Sequence, residues 1–268
     1  AELSFEVADN TAILASGECG DNVTWTLTEG GTMTISGTGA MYYYEDVHDN
    51  EQNTPPWYQE HYTNSIRTLI VEDGVTSIGS FAFYNCTALE DISLPTSLRS
   101  IGDCSFTGCS LLTSVMIPEG VTNIGLNAFG GCPDLKEASL PSTLSRWPEH
   151  PPFISETPMH VYFANENPYF EFIDGVLFRK EGKILMWYPR WLTAEEYTIP
   201  DDCTGIYIQA FMHNTHLVTV NIPDSVREIG GWAFYGCTSL ETVNMPSSID
   251  RLSCIVNWEG GHTFMDCY

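Results

Sequence analysis

Positive charge is scarce in this sequence. Its 268 residues hold 10 Lys plus Arg against 35 Asp plus Glu, a formal net charge of −25. A field of that sign repels a phosphate backbone and an anionic bilayer, so neither nucleic acid nor a membrane surface is an expected partner. Long apolar runs are missing as well. No stretch reaches the roughly 18 consecutive apolar residues of a spanning helix, so no membrane insertion is expected. Ala1-Glu2-Leu3 shows no basic-then-apolar leader pattern and Phe264 to Tyr268 no anchor motif, which leaves export open.

The usual carriers of chemistry are also absent from the reading. No glycine-rich loop follows a strand and opens a helix; Gly30-Gly31 and Gly37-x-Gly39 read as turn glycines. No G-x-S-x-G elbow occurs, and no nucleophile has an evident base. His213 and His216 have a spacing that could suit a metal, yet both align with turn positions of other repeats. The acidic run from Glu45 to Glu51 lacks the ligand order of an EF-hand loop. Glu195-Glu196 and Asp201-Asp202 are adjacent acids, which do not of themselves set two carboxylates across a sugar bond. The expectation is a non-enzymatic chain with no cofactor and no metal.

What the sequence does have is repetition. IGSFAFYNCTALEDISLP (78–95) returns as IGDCSFTGCSLLTSVMIP (101–118) and IGLNAFGGCPDLKEASLP (124–141), each 23 residues on. Phe83, Phe106 and Phe129 keep that spacing, as do Phe211 and Phe234. Each copy holds an L-x-x-L-x-L core: Leu89, Ile92, Leu94; Leu112, Val115, Ile117; Leu135, Ala138, Leu140; Leu217, Val220, Ile222; Leu240, Val243, Met245. Ile66, Leu69 and Val71 form a weaker early copy. A fixed period of this length reads as a leucine-rich solenoid, because one coil cannot bury its apolar residues and a stack can. The fold expected is a right-handed leucine-rich-repeat solenoid, with short parallel β-strands on the concave face and an N-terminal β-hairpin cap.

Within each copy, Cys86, Cys109, Cys132 and Cys237 stand three residues after the Phe, with Asn214 in their place once. Such a column suits a packed turn, where a small thiol behaves as an apolar group with a weak donor. Cys267 fits the same position and Cys203 a core position. Cys19, Cys104 and Cys254 fall outside the column and are the candidates for disulfides.

The period breaks between Pro141 and Pro200. Phe153 is the candidate closing ring there, and Val161-x-Phe163 a strand. The run from Phe170 to Pro189 reads as a β-hairpin turning at Lys180-Glu181-Gly182-Lys183. A second insertion surrounds Trp258. At the start, Thr24 to Met41 alternates and turns at Glu29-Gly30-Gly31, the hairpin of a cap. The organisation expected is 1–65 as cap, 66–144 as first repeat block, 145–197 as degenerate repeats with the hairpin, and 198–268 as second block and C-terminal end.

The copies GVTSIGSFAFYNCTALEDISLP and SVREIGGWAFYGCTSLETVNMP resemble the BspA-like leucine-rich repeat family. The segment CGDNVTWTLTEGGTMTISGTGAM, followed by PPW, and the insertion DGVLFRKEGKILMWYP are similar to segments found in such proteins of gut bacteria. The resemblance implies a secreted or cell-surface bacterial protein, adhesin-like, binding a host matrix or surface protein. It carries no site residue across. Candidate residues come from the strand geometry: the side chains between the buried ones face outward on the concave side. They are Asp91, Ser93, Ser114, Met116, Glu137, Ser139, Thr219, Asn221, Thr242 and Asn244. The alternatives are a carbohydrate-binding module in which Trp187, Tyr188 and Trp191 stack on sugar rings, and a structural spacer within a longer surface protein.

Overall fold

Each repeat forms one coil, and the coils stack. A computed structural model describes residues 10–45, 53–247 and 249–252. The cap strands are β1 (Ile13–Gly20), β2 (Val23–Thr28), β3 (Thr32–Gly37) and β4 (Gly39–Ala40), followed by one helical turn, Pro56–Gln59. The first repeats give β5 (Thr68–Val71), β6 (Val75–Ile78), β7 (Asp91–Ser93), β8 (Ser100–Ile101), β9 (Ser114–Met116), β10 (Asn123–Ile124) and β11 (Glu137–Leu140). The irregular middle gives β12 (His160–Phe163), β13 (Phe170–Ile173), β14 (Val176–Arg179) and β15 (Ile184–Trp187). The last repeats give β16 (Glu196–Thr198), β17 (Gly205–Ile206), β18 (Thr219–Asn221), β19 (Glu228–Ile229), β20 (Thr242–Asn244) and β21 (Arg251–Leu252).

Two walls of parallel strands result, in a solenoid of about eight turns. One wall carries β3-β5-β7, then β9-β11-β12, then β16-β18-β20. The other carries β4-β6-β8-β10 and then β15-β17-β19-β21. The first wall is interrupted twice, after β7 and after β12, where neighbouring strands do not pair.

The repeat residues do what their spacing predicts. Leu69, Leu89, Leu98, Ile101, Leu112 and Leu217 are fully buried, each contributing about 1.5–3 kcal/mol. The closing rings form a spine. Trp57 stacks on Phe83 at 5.3 Å, Phe83 on Phe106 at 5.3 Å, Phe106 on Phe129 at 5.1 Å and Phe129 on Phe153 at 5.5 Å. Phe153 is thus the closing ring of an irregular coil. The buried thiols form a second column. Cys109, Cys132 and Cys237 donate to the carbonyls of Phe83, Phe106 and Phe211, at 3.4, 3.3 and 3.1 Å. Asn214 substitutes by donating to the Arg190 and Leu192 carbonyls while its Oδ1 accepts from the N–H groups of His216 and Leu217. Cys203 and Val226 are both buried in the core.

Coils approach most closely at the glycine of each I-G pair. A Cβ added at Gly102 would run into the backbone of Gly79 and Ser80 on the preceding coil. Two residues before each closing Phe lies another constraint. Phe81, Cys104, Asn127, Gln209 and Trp232 lie at that point, and each holds a positive φ. Asn suits that conformation, whereas Phe81 and Trp232 carry about 1–2 kcal/mol of strain each.

The expected cap hairpin is β2–β3. β1 adds antiparallel to β2, and β3 pairs in parallel with β5, so the cap continues the first wall. Two expectations change here. The insertion is a three-stranded meander. Besides the turn between β14 and β15, Asp174 and Gly175, both at positive φ, join β13 to β14. An Asp-Gly pair flanked by apolar runs is a strong two-residue hairpin signal, and it was overshadowed by the Lys-rich turn. Cys19 is a buried thiol without a disulfide, its pKa pushed up to about 12 by burial. Cys104 is half-buried at a turn, while Cys254, Cys267, Trp258 and most of the 45–51 acidic run lie outside the described residues.

Truncating Phe106 to Ala should destabilise the protein by about 3–5 kcal/mol, because the rings on either side cannot close the gap. Gly102→Ala should cost about 1–3 kcal/mol from overpacking alone. Urea unfolding followed by circular dichroism measures both; a loss below about 1 kcal/mol for Phe106→Ala would contradict the spine. Burial pushes Cys132 up to about 11 and Cys86 higher still, so almost no thiolate forms at neutral pH. Cys86 and Cys132 should therefore resist alkylation in the native protein and label only after denaturation, as read by mass spectrometry.

Candidate functional site

Strand alternation sorts the residues of the first wall. Val115 and Ala138 face the core, and their neighbours face out. Register then lines the outward residues into two columns. Ser114, Glu137 and His160 are cross-strand partners, as are Met116, Ser139 and Tyr162. Glu196, Thr219 and Thr242 continue the first column on the far side of the break; Thr198, Asn221 and Asn244 continue the second.

The anticipated residues fare unequally. Asp91, Ser93, Ser114, Glu137, Thr242 and Asn244 are exposed, as is Met116 at 75%. Thr219 and Asn221 are half-buried. Asn221 belongs to a side-chain ladder: Asn244 Nδ2 donates to Asn221 Oδ1 at 2.6 Å, and Asn221 Nδ2 donates to Thr198 Oγ1 and Glu196 Oε1 at 3.0 and 2.8 Å. Ser139 must be withdrawn as a surface residue. It is only 4% exposed, because it lies between the larger side chains of Met116 and Tyr162 on the flanking strands.

Two residues of this face escaped the sequence reading. His160 and Tyr162 lie on β12, 23 residues after Glu137 and Ser139, but that coil lacks the consensus leucine and the proline after the strand, so the spacing went unused. Their rings stack at 4.8 Å, and the Tyr162 hydroxyl donates to Glu137 Oε1 at 3.0 Å. The available signal was the Val161-x-Phe163 pattern, which already places Tyr162 on the opposite face. Met116, Glu137, His160 and Tyr162 therefore form one contiguous cluster on three adjacent strands.

The charge of this face is one-sided. At the outward positions of β5, β7, β9, β11, β12, β16, β18 and β20, the acidic residues are Asp91, Glu137 and Glu196 and the one imidazole is His160, with no Lys or Arg. Beyond β12, Asn165 and Ser142 both donate to the Glu119 carboxylate, at 2.8 and 2.9 Å. The Asn165 amide holds that carboxyl below its ordinary pKa, and the contact ties the loop after β12 back to an earlier coil.

The aromatic alternative is corrected. Trp187 and Tyr188 are 3% and 2% exposed, and Trp191 is half-buried. Trp187 contacts Trp147 at 5.4 Å and Trp191 at 5.2 Å, and Tyr188 stacks on Phe211 at 5.1 Å. These rings extend the spine across the irregular middle and leave no face for a sugar. His213, at positive φ with its ring against Tyr235, and His216, whose N–H is held by Asn214, are turn residues.

A family model described as a BspA-type leucine-rich repeat region matches residues 59–151 and 190–254, in 6 copies. Solved structures of three bacterial proteins share the fold. A leucine-rich repeat protein from Eubacterium ventriosum is 24% identical, with 86% of this chain and 72% of that chain covered and a TM-score of 0.64. The pneumococcal vaccine antigen PcpA is 18% identical, covering 89% and 72%, with a TM-score of 0.58. A leucine-rich cell surface protein from Faecalibacterium prausnitzii is 21% identical, covering 91% and 79%, with a TM-score of 0.50. No curated protein matches the chain.

If the middle rings are core, Trp187→Ala should destabilise the fold by about 3–5 kcal/mol. Thermal unfolding checks this; a variant with unchanged Tm would restore a surface role to the ring.

Proposed function

The chain belongs to the BspA-type leucine-rich repeat family, and on that premise we propose that it is a non-enzymatic, protein-binding module of a bacterial surface or secreted protein. Members of the family are typically surface or secreted proteins. Leucine-rich solenoids are typically scaffolds and not catalysts. The partner proposed is a host matrix or host surface protein, held on the first wall of strands.

The observation that carries this reading is the cluster of Met116, Glu137, His160 and Tyr162. Met116 is exposed and Tyr162 half-buried, and Met and Tyr on a rigid sheet are residue types enriched at protein interfaces, since each offers large contact area. The Tyr162 hydroxyl and the His160 ring are already fixed by their neighbours, which lowers the ordering penalty on binding. Ser114 lies beside them, and Ser93, Thr242 and Asn244 lie farther along the same wall, small polar side chains that leave it open to a broad partner.

The test is binding of the purified protein to a panel of immobilised host matrix proteins at physiological salt. Met116→Ala and Tyr162→Ala should each weaken a saturable interaction by about 1–2 kcal/mol, with the fold intact. Glu137→Lys should weaken it and reduce its salt sensitivity. Binding indifferent to all three, or lost instead on Glu228→Lys on the opposite wall, would contradict the assignment. Absence of binding across the panel would favour the spacer.

A further inference from the structure

The interruption after β12 leaves backbone groups without partners. His160 and Ala164 donate their N–H groups to the Lys136 and Leu140 carbonyls of the preceding coil, at 2.8 and 2.9 Å. In a parallel ladder alternate residues bond to the same side, so Tyr162 bonds that way too, and Val161 and Phe163 present N–H and C=O to the other side. There they make no hydrogen bond among the described residues. The same holds across the break. Glu195 accepts from Val218, and Ile199 donates to Asn221, which turns the main-chain groups of Glu196 and Thr198 toward β12, unpaired. β13 is the terminal strand of its own sheet; it pairs with β14 alone, and the Phe172 N–H and C=O point away from that partner.

A groove of about 390 Å3 lies between two of these edges. Tyr162, Phe163 and Ala164 line one wall, and Phe170, Glu171 and Phe172 the other. The break after β7 has unpaired edges as well, but this groove distinguishes β12. We propose that the groove receives an extended, Lys- or Arg-bearing segment of the partner, which adds to the free edge of β12 as a strand. The inference rests on the protein-binding reading and specifies how the partner would be held.

Two chemical arguments select that occupant. Open edges that present N–H and C=O in alternation are satisfied by another extended backbone, and strand addition to a free edge is a recurrent recognition mode. Charge selects the side chains. Lys180 of the groove is already paired with Glu166 at 3.4 Å, and the groove's Glu171 with Lys183 at 2.7 Å. Glu137, Glu195 and Glu196 have no cationic partner among the described residues. A basic strand compensates them; an acidic one is repelled.

The experiment uses the full chain and a short synthetic peptide alternating lysine and threonine, with calorimetry as readout. Three further peptides test the mode: one N-methylated at alternate backbone nitrogens, one with glutamate for lysine, and one scrambled with proline. The first peptide should bind saturably. N-methylation, which keeps charge and removes donors, should weaken it about tenfold or more. The glutamate and proline peptides should not bind. On the protein side, Val161→Pro removes an edge donor that makes no bond in the structure, so Tm should hold while affinity falls about tenfold. If that variant unfolds, the methylated peptide still decides. Equal binding of methylated and unmethylated peptides, no binding of the lysine peptide, or a dimer closing the edge in sedimentation equilibrium would overturn the proposal. A matrix-protein complex that depends on Tyr162 but ignores Val161→Pro would sink strand addition and leave the binding face standing.

Discussion

Ring-on-ring stacking at one repeat position is the contact on which the molecule depends. Strands in a sheet lie roughly 4.8 Å apart, and offset aromatic rings stack at about the same separation. A single phenylalanine per coil can therefore stack on its neighbour in step with strand pairing on both walls. The observed separations from Trp57 through Phe153 stay between 5.1 and 5.5 Å. The glycine of each I-G pair and the thiol or Asn three residues after the ring serve the same requirement: nothing bulky separates the coils, and the turn carbonyls find donors.

The regular stacking loosens in the middle. Phe153 and Trp187 are 6.4 Å apart, the widest step of the spine, and the next stack begins one residue later, at Tyr188 on Phe211. The buried residues accordingly fall into two clusters, with Trp187 in the first and Tyr188 in the second. The meander β13–β15 is inserted at this step. It supplies β15 to the second wall and leaves β12 without a neighbour on the first. The same irregularity thus places Tyr162 and His160 beside an open edge on the most varied part of the strand face.

Much of this was legible in the sequence because the repeat is periodic. The spine, the thiol column, the inward leucines and the early copy at Ile66–Val71 follow from spacing alone, and Phe153 followed from need: the coil after Phe129 had to close on something. What spacing could not supply was burial of the aromatic middle. Trp187 and Tyr188 look alike as surface platforms or as core, since both are amphipathic rings and only the neighbouring coils decide. Ser139 had the right parity for exposure and was covered by its cross-strand neighbours, a contact that requires the register of β12. His160 and Tyr162 were hidden for the reverse reason: they keep the 23-residue step from Glu137 and Ser139, but the consensus residues that mark a repeat are missing from their coil. Fold was therefore readable where the consensus recurs, and the candidate site straddles its end, with Met116 and Glu137 in clear copies and His160 and Tyr162 in a degenerate one.

Binding at this wall depends on coils that stack throughout and on the edge of β12 left open beside the cluster. Amide hydrogen exchange of the free protein, resolved by residue, tests it most directly. Tyr162 and Ala164, bonded to β11, should be protected, while Val161, Phe163, Glu196 and Thr198 should exchange at rates near those of solvent-facing amides. Equal protection of all six would mean that β12 and β16 close into one continuous sheet, and the open edge, with the binding mode built on it, would be wrong.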